Sequence, residues 1–158
     1  MSTQWQSAPQ PPPGAYGGGG PSGPRAGFWI RFGAYLLDGI IYGIPLVIAI
    51  IITLVLDLPV LFFIVVVLGF FGSIAYYIVL EGGPRGATFG KSMCGIKIVD
   101  INTGGTIGYG HATIRYLVRI ISGFVFYLGY LWMLWDPQKQ CWHDKAAKCV
   151  VVPADAYR

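Results

Sequence analysis

The chain has 158 residues, 54% of them hydrophobic and only 11% charged, with a mean hydropathy of +0.59. That balance excludes an ordinary soluble domain and describes a membrane protein, with no length left over for a separate catalytic domain. The net charge of +4 sits in the flanks of the apolar segments, so the bilayer is the expected partner; no nucleic acid, no cofactor and no enzymatic activity are expected.

Residues 1–27 are rich in Pro, Gly, Gln and Ser, and include Pro11 to Pro13 and Gly17 to Gly20. Such a segment cannot bury enough apolar surface to offset its ordering entropy and reads as a disordered tail before a membrane domain at residues 28–158. It has neither the basic start nor the apolar stretch of a signal peptide, so the first helix is expected to direct insertion.

Two apolar runs follow, Phe32 to Leu56 and Val60 to Leu80, joined by the turn Asp57, Leu58 and Pro59. A hydrocarbon core of about 30 Å needs roughly 20 apolar helical residues, so both runs predict transmembrane helices. The first carries a single charge, Asp38, which hydrocarbon penalises by several kcal/mol and which must be paired, protonated or used. Arg31, Tyr35, Asp38 and Tyr42 recur at helical spacing and line one face. Asp38 lies roughly 10 Å deeper than Arg31 along a helix, too far for an ordinary pair. Arg115 and Arg119, at the start of a third apolar segment, are its expected partners. Two roles stay open: a buried tether between helices, or a proton or cation site with Tyr35 and Tyr42 supplying oxygens.

Gly39 and Gly43 form a small-xxx-small pair, and Gly69 and Ser73 repeat that spacing on the second helix; such pairs let helices approach closely in lipid, within the chain or with a partner. Pro45 predicts a kink and a freed carbonyl near Ile41. The loop Gly86 to Ser92 fails as a phosphate cradle because only three residues separate Gly86 from Gly90-Lys91-Ser92, where a P-loop needs four. A helix N-terminus near Thr88 could still attract an anionic lipid headgroup. Ile96 to Ile101, the turn cluster Asn102 to Gly105, and Thr106-Ile107 predict a small cytoplasmic β-hairpin, to which Cys149 to Val152 could add a third strand.

The third segment, Tyr116 to Trp135, carries Arg119 and the loosening pair Ser122-Gly123. It either crosses once or bends at that pair and returns. Basic residues gather before the first helix, between Glu81 and Arg115, and in the C-terminal tail, which places all three inside and favours the bend. Trp132, Trp135, Trp142 and Tyr130 read as interfacial anchors around an acidic and histidine cluster of Asp136, His143 and Asp144. Cys94, Cys141 and Cys149 have no metal-binding spacing and read as semi-buried thiols; no metal is expected.

Arg31 before a helix bearing Asp38, the loop Thr88-Phe89-Gly90-Lys91, the segment Gly95 to Asp100, Leu134 to Pro137 and His143 to Ala146 occur in an order that resembles the RDD family of small bacterial membrane proteins. The resemblance covers nearly everything after the tail and assigns Arg31 and Asp38 to the family's arginine and first aspartate. The second aspartate is Asp144 or Asp136, with Asp144 in the more distinctive context. Cys149 stands where a threonine is common, and the Pro/Gly-rich tail resembles actinobacterial members. The resemblance implies a multi-pass protein of the bacterial cell membrane, all-α apart from its hairpin, with transport and cation/proton exchange suggested for some members. Two functions remain in view. One is an accessory or assembly subunit of a larger membrane complex, such as a respiratory one, or a homo-oligomer; the other is a transporter of cations or small solutes.

Overall fold

The computed structural model describes residues 23–124 and 128–156. The expected disordered tail lies outside the described residues except at 23–27. Two long helices form a hairpin: α1, Phe28–Val55, and α2, Pro59–Gly82, both long and apolar enough to cross a bilayer. Pro45 lacks an amide hydrogen and its ring crowds the preceding turn. The chain accommodates it by widening Gly39–Gly43 into a π-helical turn, so α1 continues through the proline. Asp57 takes a left-handed φ of 50° at the tip of the hairpin, and Pro59 opens α2 in the first turn, where its missing donor costs nothing.

The helices meet through the small residues of α2. Tyr42 donates its hydroxyl to the Gly69 carbonyl at 2.6 Å, and Leu46 fills the space that a Cβ at Gly69 would need. Gly39 and Gly43 make no such contact: nothing lies within 4 Å of a Cβ placed on either. Within the chain, therefore, the approach uses Gly69 and Gly72 rather than the glycine pair of α1.

At the end of the hairpin away from Asp57 sits a compact lobe. It comprises α3 (Phe89–Met93), β1 (Ile96–Asp100), α4 (Gly108–Phe124), α5 (Leu128–Leu131), α6 (Trp142–Ala146) and β2 (Cys149–Pro153). The two strands pair antiparallel from Ile96 opposite Pro153 to Asp100 opposite Cys149. One face packs Ile96, Ile98, Cys149 and Val151 against Ala26, Ala34, Ile107, Ala112 and Ala147. The other buries Val99, Val150 and Val152, as the two-residue alternation of strands requires.

The local hairpin expected over residues 96–107 does not form. Asp100 instead caps a turn by accepting hydrogen bonds from the amides of Asn102 and Thr103, and the chain enters α4 after only Thr106 and Ile107. The tail strand becomes the sole partner of β1 among the described residues.

That long-range pairing decides the course of the third apolar segment. Both strands belong to one sheet, so the chain between them begins and ends in the same lobe. Consistent with this, Gly108–Phe124 and Leu128–Leu134 are bent by 113° relative to each other. The helix runs unbroken through Ser122 and Gly123 to Phe124, so it does not bend at that pair. Gly129 brings α5 back onto α4, for a Cβ there would collide with Ser122 and approach the Trp142 ring to 3.1 Å.

Candidate functional site

Asp38 is 1% exposed, but it does not meet an arginine. Its Oδ1 accepts from the Tyr76 hydroxyl at 2.7 Å and the Gly90 amide at 2.7 Å, and its Oδ2 from the Thr88 hydroxyl at 2.6 Å. The expected pairing with Arg115 or Arg119 is replaced by neutral donors, and the reason is height. Asp38 and Tyr76 each lie about nineteen residues from Asp57, roughly 28 Å at 1.5 Å per residue. That spans the hydrocarbon, so the carboxylate sits at the lobe end of the hairpin, under α3, rather than deep among the lipid tails. There it caps α3, occupying the N-terminus near Thr88 that the sequence suggested could draw a lipid headgroup. Gly90 makes this possible: a Cβ would strike the Ala34 carbonyl and lie 2.8 Å from Asp38 Cγ.

The arginines converge elsewhere, on Glu81, which sequence reasoning treated only as the start of a loop. Glu81 is 1% exposed and pairs with Lys91 Nζ at 2.6 Å, Arg115 Nη1 at 3.2 Å and Arg119 Nη2 at 2.8 Å. Arg115 bridges onward to Asp144 at 2.8 Å, and Asp144 also takes Arg31 at 2.6 Å. A chain of ion pairs thus joins the start of α1, the end of α2, α3, α4 and α6. The signal that could have found Glu81 was the four-residue spacing of Arg115 and Arg119, which aims both at one acceptor. Choosing between Asp38 and Glu81 needed the relative heights of three helices.

Arg31 is committed to Asp144 rather than to Asp38. It also donates to the Ala26 carbonyl at 3.1 Å and the Lys139 carbonyl at 2.8 Å. Tyr35 is 48% exposed, and Tyr42 is committed to Gly69, so the four-residue stripe of α1 does not form one site.

The expected interfacial cluster also divides. Asp136 pairs with Lys145 and accepts from the amides of Gln138 and Gln140, whereas Asp144 is fully buried in the lobe. Burial opposes its charge, but the Arg115 and Arg31 guanidinium groups outweigh it and hold the carboxyl well below its ordinary range. His143 Nε2 lies 3.5 Å from Asp144 Oδ1. Burial nevertheless drives the imidazole well below its usual value and, with Arg115 and Arg119 adding to that, keeps it neutral. Lys91 is pushed down to about 8, chiefly by burial and against the pull of Glu81.

Cys141, His143 and Asp144 bring ligand atoms within 4.8 Å of one another. They fit a metal poorly, because both Asp144 oxygens already hold guanidinium groups and a second positive charge would compete with them. Burial pushes the Cys141 thiol up to about 12, away from the thiolate a metal needs. All three cysteines are free.

A cavity of about 240 Å³ adjoins the network, and its wall includes Arg31, Asp38, Lys91, Arg115, Arg119 and His143.

Comparison with protein families matches the RDD family over residues 25–148. The chain belongs to the RDD family. It is 31% identical to the uncharacterized protein YxaI of Bacillus subtilis over 147 residues, covering 80% of this chain and 96% of that protein. Similarity to the uncharacterized membrane protein YteJ of the same organism is also 31%, over 84% of each chain. A proline-rich antigen homolog of Mycobacterium tuberculosis is 35% identical over 85 residues, 52% of this chain but only 35% of its own length. No solved structure gives a significant match. The chain is therefore a membrane protein of this family, built on two or three apolar membrane helices and a small two-stranded sheet.

Proposed function

We propose that this RDD protein is a non-catalytic accessory or assembly subunit of a larger bacterial membrane complex, an energy-transducing one such as a respiratory assembly being the best fit. One observation carries the reading: the hairpin has no polar track from end to end. Thr53 and Ser73 return their hydroxyls to carbonyls three residues back in their own helices, and Tyr42 spends its hydroxyl on Gly69. Transport across a bilayer uses polar groups near the midplane, and among the described residues this chain gathers its charges at one end instead. What the hairpin does offer is the open Gly39 and Gly43 face, suited to close approach by another helix.

The lobe, the N-terminus and the C-terminal tail are assigned to the cytoplasm, since the lobe end collects Arg25, Arg31, Arg85, Lys97, Lys139 and Lys148 while the hairpin tip has only Asp57. The rival reading, a transporter of cations or small solutes, draws support from one feature, the buried Asp38 beside a cavity, and requires oligomerisation to form a path.

Purification from native membranes in mild detergent tests the first reading. A stoichiometric larger assembly is expected with the natural chain and is lost with Gly43→Leu, at a position where a Cβ meets nothing within 4 Å in this fold. Cation-driven proton movement in vesicles that disappears with Asp38→Asn would instead establish the transporter.

A further inference from the structure

A cavity lies beside the ion network. Its volume of about 240 Å³ exceeds the roughly 150 Å³ that suffices for benzene. The chemistry of its wall is unbalanced. Among the described residues, Arg31, Lys91, Arg115 and Arg119 share two carboxylates in ion pairs, Glu81 and Asp144. The acid that lines the wall itself, Asp38, has its oxygens taken by Tyr76, Thr88 and Gly90. Spare donors remain: Arg115 Nε and Arg119 Nη1 are buried without a hydrogen-bond partner among the described residues, and Arg115 as a whole is 2% exposed. Unused donors on buried guanidinium groups are costly unless a ligand answers them. With the acceptors engaged and donors left over, the site suits an anion and not a cation.

The rest of the wall says what kind of anion. Phe28, Phe32 and Leu131 line the same cavity, and Phe32 is 45% exposed on the surface of α1. This wall stands at the lobe end of the hairpin, level with Asp38, where a bilayer places its headgroups. His143, whose Nδ1 is also buried and unpartnered among the described residues, belongs to the same wall. We infer that the cavity binds the headgroup of an anionic phospholipid, with the phosphate held by Arg115 and Arg119 and an acyl chain leaving past Phe28 and Phe32. Bidentate guanidinium geometry suits a phosphodiester, and the apolar exit distinguishes a lipid from free phosphate. The site is independent of whether the chain joins a larger complex.

The test uses the full chain, delipidated in mild detergent, with native mass spectrometry and thermal melting as readouts. Phosphatidylglycerol is expected to bind saturably and raise the melting temperature at a concentration at least about tenfold lower than phosphatidylcholine, with inorganic phosphate producing no comparable shift. Phe32→Glu sets a carboxylate on the exposed part of the wall without replacing a residue of the ion network, and Arg119→Gln removes a spare donor together with its pair to Glu81. Either is expected to weaken phosphatidylglycerol binding about tenfold or more. Equal binding of the two lipids overturns the inference, as does unchanged binding in Phe32→Glu. Stabilisation by phosphate alone, matching that by the lipid, assigns the site to a free anion and overturns the lipid.

Discussion

Replacing Glu81 by glutamine keeps the shape of the side chain and removes the one negative charge shared by three cations. Arg115 retains Asp144, but Lys91 and Arg119 have no other carboxylate partner among the described residues. Removing one side of a buried pair costs about 3–5 kcal/mol, because the charge left behind stays desolvated. Lys91 relieves part of that cost by losing its proton, its pKa already lying at about 8, so the lower end is expected. For a chain of this length about 3 kcal/mol corresponds to a fall of roughly 6–12 °C in melting temperature. The assay is thermal loss of the monodisperse peak on size-exclusion chromatography in mild detergent. A double-mutant cycle with Arg119→Gln should recover about 1 kcal/mol or more, since the second substitution removes a charge that the first had stranded. A Glu81→Gln protein within about 0.5 kcal/mol of the natural chain, or strict additivity in the cycle, refutes the reasoning.

Gly90→Ala should destabilise by about 2–3 kcal/mol, since the new methyl meets the α1 backbone at Ala34 and Asp38 rather than a yielding side chain; chemical denaturation in detergent would show it, and a neutral result would dissolve the α1–α3 contact. Asp38→Asn should cost about 1.5–3 kcal/mol through its charge-assisted hydrogen bonds, and proteolysis within residues 83–93 should accelerate as α3 loosens. Stability should also fall as pH drops below about 6.5, because the unfolded chain takes up a proton at His143 near its ordinary 6.5 while the folded chain does not. The slope approaches about 1.4 kcal/mol per pH unit, and His143→Asn should flatten it between pH 6.5 and 5. Asp144, held below its ordinary 3.8, contributes fully above that value and loses its contribution as the pH falls further.

The amino-acid sequence by itself determined the membrane class, both spans and their turn, because roughly twenty consecutive apolar residues have few other stable fates. It also pointed to the buried state of Asp38. Only the tertiary structure decided who meets whom. Arg115 and Arg119 had two acids within plausible reach, Asp38 and Glu81, and helical periodicity states a direction around an axis but not the height at which neighbouring helices stand. The strand Ile96–Asp100 likewise had a nearby candidate in Thr106-Ile107 and a distant one in Cys149–Pro153. A run of buried valines across fifty residues won because it fills both faces of the sheet, whereas two residues before a helix cannot. Local propensity fixes what an element is; burial and charge compensation among elements remote in the chain fix where it goes.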